Sequence, residues 1–195
     1  GFRRKVVLNG INLEIKLGEI FGILGPSGAG KTTLLKTILG YLKPDVGKVE
    51  FSEKKIENPE LEKFSFISIN KCPNKYKQII GYAAQHPSFY LKLTVEENIK
   101  FFGGLHNLSK KLVSENSRFL LDQMELTCHK KVLAKDLSGG MQRRLDIACA
   151  LIHDPRILIL DEPTADLDPV LSQNLWKFIQ KINTRGTTVI VSSHH

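Results

Sequence analysis

The sequence has few cysteines, and they form no recognisable site. Cys72, Cys128 and Cys149 are odd in number, lie in unrelated segments and lack metal-ligand spacing. This pattern argues against a disulfide framework and indicates a reducing compartment. Long apolar runs are missing too, because no stretch reaches the length of about 20 apolar residues that a membrane-spanning helix needs. No signal-peptide pattern opens the chain, so any membrane involved must be spanned by another segment or another chain.

Acidic residues are outnumbered in this chain. Its 195 residues include 20 acidic and 28 basic side chains, which gives a formal charge of +8. This excess suits nucleotide phosphates, anionic lipid headgroups and nucleic acid alike, so charge alone does not choose among them. With 42% hydrophobic residues, a chain of this length buries a sizeable core, and we expect a single folded unit.

A glycine-rich segment lies between the strand-like run 20–24 and the helix-like stretch 34–39. Its spacing, G-x-x-x-x-G-K-T, predicts a phosphate-binding loop, because glycines allow successive backbone N–H groups to point at phosphate oxygens. Lys31 would add a positive charge at the terminal phosphates, and Thr32 a hydroxyl ligand for Mg²⁺. The following helix would add the positive end of its dipole. The candidate loop comprises Gly25, Pro26, Ser27, Gly28, Ala29, Gly30, Lys31, Thr32 and Thr33.

Two adjacent carboxylates follow the apolar run 157–160. Four apolar residues in succession predict a buried strand, and open parallel sheets bind their ligands at the carboxyl ends of such strands. We therefore expect Asp161 to hold Mg²⁺. Glu162 is expected to orient or deprotonate the water that attacks the terminal phosphate.

A second candidate anion site precedes that strand. Ser138, Gly139 and Gly140 open an apolar-periodic helix over 141–153, and a serine with two glycines at a helix start is suited to bind an anion. One chain does not normally need two sites for the γ-phosphate. The simplest use of the second site is to cap the nucleotide bound by another copy, which predicts a head-to-tail dimer.

The order of these motifs resembles the nucleotide-binding domain of ATP-binding cassette (ABC) proteins over essentially the whole chain. The resemblance implies an α/β fold, a P-loop NTPase core with a mostly parallel sheet, an antiparallel β flank and a helical subdomain. It also implies ATP and Mg²⁺ as ligands and ATP hydrolysis as the activity. Phe2 would stack on adenine, Gln85 would contact Mg²⁺ and the attacking water, and His194 would contact the γ-phosphate, with His195 as the alternative. Asp168 would lie at the nucleotide, in the loop that crosses the dimer interface.

The expected organisation is a single domain over 1–195 that lacks parts at both ends. Segments 1–93 and 138–195 would form the core, and 94–137 the helical subdomain. Alternating residues over 6–17, continued at 48–51, predict the antiparallel flank. Helical spacing predicts helices over 95–102 and 112–124. The segment 52–78 is longer than a typical cassette needs and is expected to form an enlarged surface β-region or loop.

The family resemblance also implies a membrane partner. In transporters of this family, the helical subdomain has a groove for a short helix of a transmembrane domain, and residues 86–93 would line it here. Phe89 and Tyr90 are equally consistent with ordinary packing under a loop. His106, His129 and His153 are interpreted as isolated surface or core residues.

Two functions follow from the resemblance. The first is the ATPase motor of a membrane transporter, with export favoured because Met141 and the segment 93–98 resemble the drug, polysaccharide and lipid exporters. Its partners would be a second copy or a homologous cassette and a transmembrane domain in the same or another polypeptide. The protein would then lie at the cytoplasmic face of a membrane, and no specific nucleic acid is expected. The alternative is a soluble ABC ATPase that acts on ribosomes or DNA.

Overall fold

The computed structural model describes residues 6–58, 61–165 and 167–194, and for 53–64 within those ranges it describes the backbone only. Strands and helices alternate along most of the chain. In chain order they are β1 (Ile20–Leu24), α1 (Lys31–Ile38), β2 (Glu50–Asn58), β3 (Leu61–Ser68), α2 (Pro73–Ile79), β4 (Ile80–Ala83), α3 (Val95–Leu105), α4 (Lys110–Gln123), α5 (Gly139–Leu151), β5 (Ile157–Asp161), α6 (Pro169–Asn183) and β6 (Thr188–Ser193).

The central sheet is parallel and has the strand order β1-β6-β5-β4. Both of its faces are covered at β5, where Leu158, Ile159 and Leu160 have no exposed surface. Leu158 and Leu160 pack into one apolar cluster, whereas Ile159 packs with Leu35 and Ile190 in a second. Successive side chains of a strand point to opposite faces of its sheet, so a continuous apolar run is what a doubly covered strand requires. The predicted parallel core is confirmed.

The antiparallel flank is a hairpin of β2 and β3, in which Glu50 pairs with Ser68. For the segment 52–78, predicted as a β-region or a loop, the structure thus has β-strands in the first part and α2 in the last part. The prediction of β-structure over 6–17 is wrong, because this segment contains no strand. An alternating pattern produces a strand only where a neighbouring backbone supplies a hydrogen-bond ladder. The flank was expected to join 6–17 with 48–51, but β2 pairs with β3. Ile11 and Leu13 accordingly remain 54% and 41% exposed.

The two helices predicted between the sheet strands are confirmed as α3 and α4. A capping box starts α3, since Thr94 and Glu97 satisfy each other's backbone N–H groups. Ile99 of α3, Met124 after α4 and Leu145 of α5 share one buried cluster, so these helices pack on the sheet through α5. The subdomain boundaries at 94 and 137 stay a prediction. Within the described ranges, no helix combines the length and apolarity needed to span a bilayer.

Candidate functional site

The carboxyl ends of β1, β5 and β6 meet at one edge of the sheet. Leu24 lies beside Ser193, and Asp161 lies beside Ser192. The chain leaves β1 into the glycine-rich loop there, and the Gly25 N–H donates to the Ser193 carbonyl at 3.3 Å. The register of the parallel sheet therefore brings the loop after β1 and the carboxylates after β5 to the same place.

The glycine-rich loop has the backbone geometry of an anion-binding turn. Gly28 and Gly30 have positive φ values of 80° and 96°, a region open to glycine at little cost. Helix α1 begins directly after Gly30, and no side chain among the described residues caps its amino end. Its first backbone N–H groups and the positive end of its dipole are thus available to a phosphate.

Lys31 lies inside the loop rather than over solvent. Its side chain is only 8% exposed, and Nζ donates to the carbonyls of Gly25 at 2.7 Å and Pro26 at 3.2 Å. The same ammonium forms an ion pair with Glu162 Oε1 at 3.4 Å. One fixed positive charge therefore connects the loop after β1 with the carboxylate after β5.

Thr32 and Asp161 form the expected oxygen pair. The Thr32 hydroxyl donates to Asp161 Oδ2 at 2.9 Å. Asp161 is 1% exposed, and its other oxygen accepts a hydrogen bond from the Ser192 hydroxyl. One buried carboxylate beside a hydroxyl fits Mg²⁺, which proteins typically bind through one or two carboxylates together with substrate phosphates and water.

Glu162 is held in an unusual backbone conformation. Its φ is 52°, a left-handed value that is uncommon for a residue with a side chain. Its N–H donates to the Ser192 carbonyl at 3.2 Å and to the Ser192 hydroxyl at 3.0 Å. Its carboxylate lies 3.3 Å from His194 Nδ1. The carboxylate is thus positioned between Lys31 and His194.

The remaining candidate residues lie in other parts of the structure. Gln85 is exposed and follows the carboxyl end of β4. The Ser138 hydroxyl caps α5 by accepting from the Met141 N–H at 3.3 Å, and Gly139 has open space around its Cα. Asp168 caps α6 through the N–H groups of the two residues after Pro169. Phe2 and His195 lie outside the described residues.

Three buried polar residues near the strand ends were missed by the sequence reasoning. Arg143 is 4% exposed and donates to the carbonyl of Asp161. Asp146 is 1% exposed, and its pKa is raised by burial against the opposing effect of its hydrogen bonds and of Arg143. Ser192 has no exposed surface. The only sequence signal was the basic pair that follows Met141, and nothing in a single sequence indicates which of two such arginines is buried.

The interpretation of His106 and His153 as isolated residues is wrong. Their rings stack with centroids 3.5 Å apart and planes inclined by 4°. His153 Nε2 also lies 2.9 Å from the carbonyl oxygen of Ile80, at the start of β4. The two histidines are 47 positions apart, and only the packing of α3 on α5 brings them together.

Comparisons with known proteins show the family to which this chain is similar. A family model described as ABC transporter matches residues 8–165. The Nod factor export ATP-binding protein I of Neorhizobium galegae is 34% identical over 193 residues, which cover 99% of this chain and 52% of the relative. The linearmycin resistance ATP-binding protein LnrL of Bacillus subtilis is 34% identical over 194 residues, which cover 100% of this chain and 58% of the relative. The chain spans about half the length of these curated relatives.

A solved structure supports the same assignment. It is a dimeric ATP-binding cassette in a post-hydrolysis state with ADP and Pi, and it is 31% identical to this chain, with a TM-score of 0.81. The similarity covers 97% of this chain and 80% of the solved one. The family model, the relatives and the fold agree that this chain belongs to the ABC transporter family.

Proposed function

We propose that this chain binds and hydrolyses ATP at the edge of the sheet where β1, β5 and β6 end. The observation that carries the proposal is the contiguous set of contacts from Lys31 to Glu162 to His194. Lys31 would bind the terminal phosphates, and the loop N–H groups would surround the others. Glu162 would accept a proton from the attacking water, and His194 would contact the γ-phosphate.

Thr32 and Asp161 are the residues that would hold Mg²⁺, with Gln85 as a further ligand. Their hydroxyl and carboxylate are hard oxygen donors 2.9 Å apart and carry one negative charge between them. When bound, Mg²⁺ would neutralise charge on the phosphate oxygens. Asp161 is itself oriented by the Ser192 hydroxyl, so its carboxylate needs little rearrangement to accept the ion.

Hydrolysis is proposed to take place in a head-to-tail dimer. Ser138, Gly139 and Gly140 are partly or fully exposed at the amino end of α5, where the helix dipole favours an anion. They would cap the ATP bound by the other copy, with Asp168 in the loop between the copies and Phe2 against the adenine. The dimeric state of the similar cassette supports this arrangement. Loss of the γ-phosphate would remove the contacts that join the two copies.

The variant Glu162→Gln tests the hydrolysis. We expect it to keep ATP affinity and to accumulate an ATP-bound dimer, while turnover falls about 100-fold or more because the proton acceptor is removed. The measurements are phosphate release and the dimer fraction with ATP by size-exclusion chromatography. Glu115→Gln, at an exposed glutamate of α4, is the matched control and should behave as the wild type. Full hydrolysis by Glu162→Gln would exclude Glu162 from this role.

The transport proposal is that the cassette drives export through a transmembrane partner at the cytoplasmic face of a membrane. The names of the two relatives, which refer to Nod factor export and to linearmycin resistance, support it. An exposed apolar surface shortly after Gln85 in the chain supports it further, since Tyr90 and Leu91 are both 51% exposed and the Tyr90 ring packs against Phe101 at 4.8 Å. Phe89 of the same segment is buried, so Tyr90, Leu91 and Phe101 would form the contact surface.

Co-purification from the native membrane tests the partner. The full-length protein should sediment with membranes and be recovered with an integral membrane protein. The double variant Tyr90→Glu with Leu91→Glu should reduce this recovery, whereas Phe66→Glu, at an aromatic residue that is 68% exposed on β3, should not. Recovery with ribosomes or DNA, without a membrane protein, would replace transport with the alternative function and leave the ATPase proposal intact.

A further inference from the structure

The guanidinium of Arg143 holds the backbone on both sides of Glu162. Its Nη2 donates to the carbonyl of Asp161, and its Nε donates to the carbonyl of Pro163 at 3.3 Å. Glu162 lies between these two carbonyls with its left-handed φ of 52°. A charged donor forms stronger hydrogen bonds than a neutral one. Arg143 therefore stabilises the backbone conformation that points Glu162 towards Lys31 and His194.

Arg143 also forms an ion pair with Asp146, and this pair holds the segment that contains Gln85. Arg143 Nη1 donates to the carbonyl of Ala84, immediately before Gln85. Its partner Asp146, 3.5 Å away, accepts the N–H of Ser88 at 2.9 Å and the Ser88 hydroxyl at 2.8 Å. Residues 85–87 are thus bounded at one end by the arginine and at the other by the aspartate of one buried pair.

Every buried guanidinium needs acceptors for its N–H groups, so the informative feature is where those acceptors lie. The carbonyls of Ala84, Asp161 and Pro163 lie at or just after the carboxyl ends of β4 and β5, at the edge of the sheet where ligands bind. Arginine has donors that diverge in one plane, so a single side chain reaches both turns at once. The neighbouring Arg144 on the same helix instead donates to the Met124 carbonyl at 2.6 Å, away from the strand ends.

We propose that Arg143 and Asp146 are positioning residues for ATP hydrolysis: together they fix Gln85 and Glu162 relative to each other. The contacts of the pair hold the segments that carry Gln85 and Glu162, so we expect it to act mainly on the geometry of turnover. The inference rests on the proposed hydrolysis at Glu162, and it adds a connection between that site and Ser88, two residues before the exposed Tyr90.

The test is a comparison of kcat and ATP affinity in the full-length protein. Arg143→Lys replaces three divergent donors with one ammonium, which cannot reach both turns. We expect kcat to fall about 10- to 100-fold, as for a misplacement of about 1 Å of catalytic groups, with ATP affinity within about twofold of wild type. Arg144→Lys is the matched control and should keep both values. Thermal melting establishes the folded fraction of each variant, and kcat is calculated per folded molecule.

Asp146 supplies a second test that does not depend on the arginine variant folding. Asp146→Asn keeps an oxygen acceptor for Ser88, whereas Asp146→Ala removes it. We expect the Asp146→Asn variant to retain most of the kcat that the Asp146→Ala variant loses. Equal kcat in folded Asn and Ala variants, or wild-type kcat in folded Arg143→Lys, would overturn the positioning role.

Failure of this inference is distinguishable from failure of the proposed function. An inactive Glu162→Gln with a fully active Arg143→Lys would refute only the positioning role. A fully active Glu162→Gln would refute the proposed hydrolysis site itself. Parallel losses of kcat and ATP affinity in Arg143→Lys would show a general structural role and would also overturn the proposal.

Discussion

Acidification should destabilise this protein through His153. Burial, and to a lesser extent the neighbouring His106, lower the pKa of His153 from 6.5 to about 4 against the opposing effect of the hydrogen bond with the Ile80 carbonyl. If Nε2 donates to that carbonyl, a second proton must go to Nδ1. Nδ1 is buried and has no hydrogen-bond partner among the described residues. The folded state therefore resists protonation of this ring.

The sign and size of the effect follow from the two pKa values. The unfolded chain binds the proton at the ordinary value of 6.5 and the folded chain only near 4, so the unfolded state is favoured as the pH falls between these values. The loss of unfolding free energy is about 2 kcal/mol near pH 5 and about 3 kcal/mol once both states are protonated. The stability is fully present above the unfolded pKa. Burial also lowers the pKa of His106, which acts in the same direction.

Urea denaturation at a series of pH values measures this loss. His153→Phe keeps an aromatic ring for the stack but has no titrating group, and it loses the contact with Ile80, so it starts from a lower stability at neutral pH. The informative quantity is the slope of unfolding free energy against pH: between pH 7 and pH 5 the variant should lose about 2 kcal/mol less than the wild type. Equal slopes in wild type and His153→Phe would refute the reasoning.

Two further substitutions test the packing and the phosphate loop. Gly81→Ala should destabilise the fold by about 3 kcal/mol in thermal or urea unfolding, because overpacking strains a core. The added Cβ would lie 2.2 Å from the carbonyl oxygen of Ala150. An unchanged melting temperature would contradict this. Lys31→Ala should weaken both ATP and ADP binding about tenfold or more in calorimetric titration, since it deletes a charged donor at the phosphates; wild-type affinity would remove Lys31 from the proposed site.

Much of the core was predictable because its signals are local. The glycine spacing before Lys31 and the apolar run before Asp161 each lie within ten residues. Their elements, β1, α1 and β5, are found where the sequence predicts them. Helices α3 and α4 were predictable for the same reason, because helical spacing and capping residues are read within one turn. The roles of the site residues remain proposals.

The predictions that failed concern residues whose partners are distant in the chain. The alternation over 6–17 is typical of a strand, but a strand also needs a neighbouring backbone that supplies a hydrogen-bond ladder, and the structure forms none along this segment. The stack of His106 on His153 has no local signal either. Arg143 and Arg144 are adjacent and identical, yet helix rotation directs one to the strand ends and the other to Met124.

The sequence by itself determined which chemical groups are available for the proposed site: a glycine-rich loop with a lysine, two adjacent carboxylates, and a serine with two glycines at a helix start, because those groups are specified by residue type and short spacing. Only the tertiary structure decided how they meet. Thr32 and Asp161 are 129 positions apart and 2.9 Å distant, since the parallel register of β1, β6 and β5 aligns their strand ends. The burial of Arg143 between the ends of β4 and β5 was decided in the same way, by packing that no local pattern records.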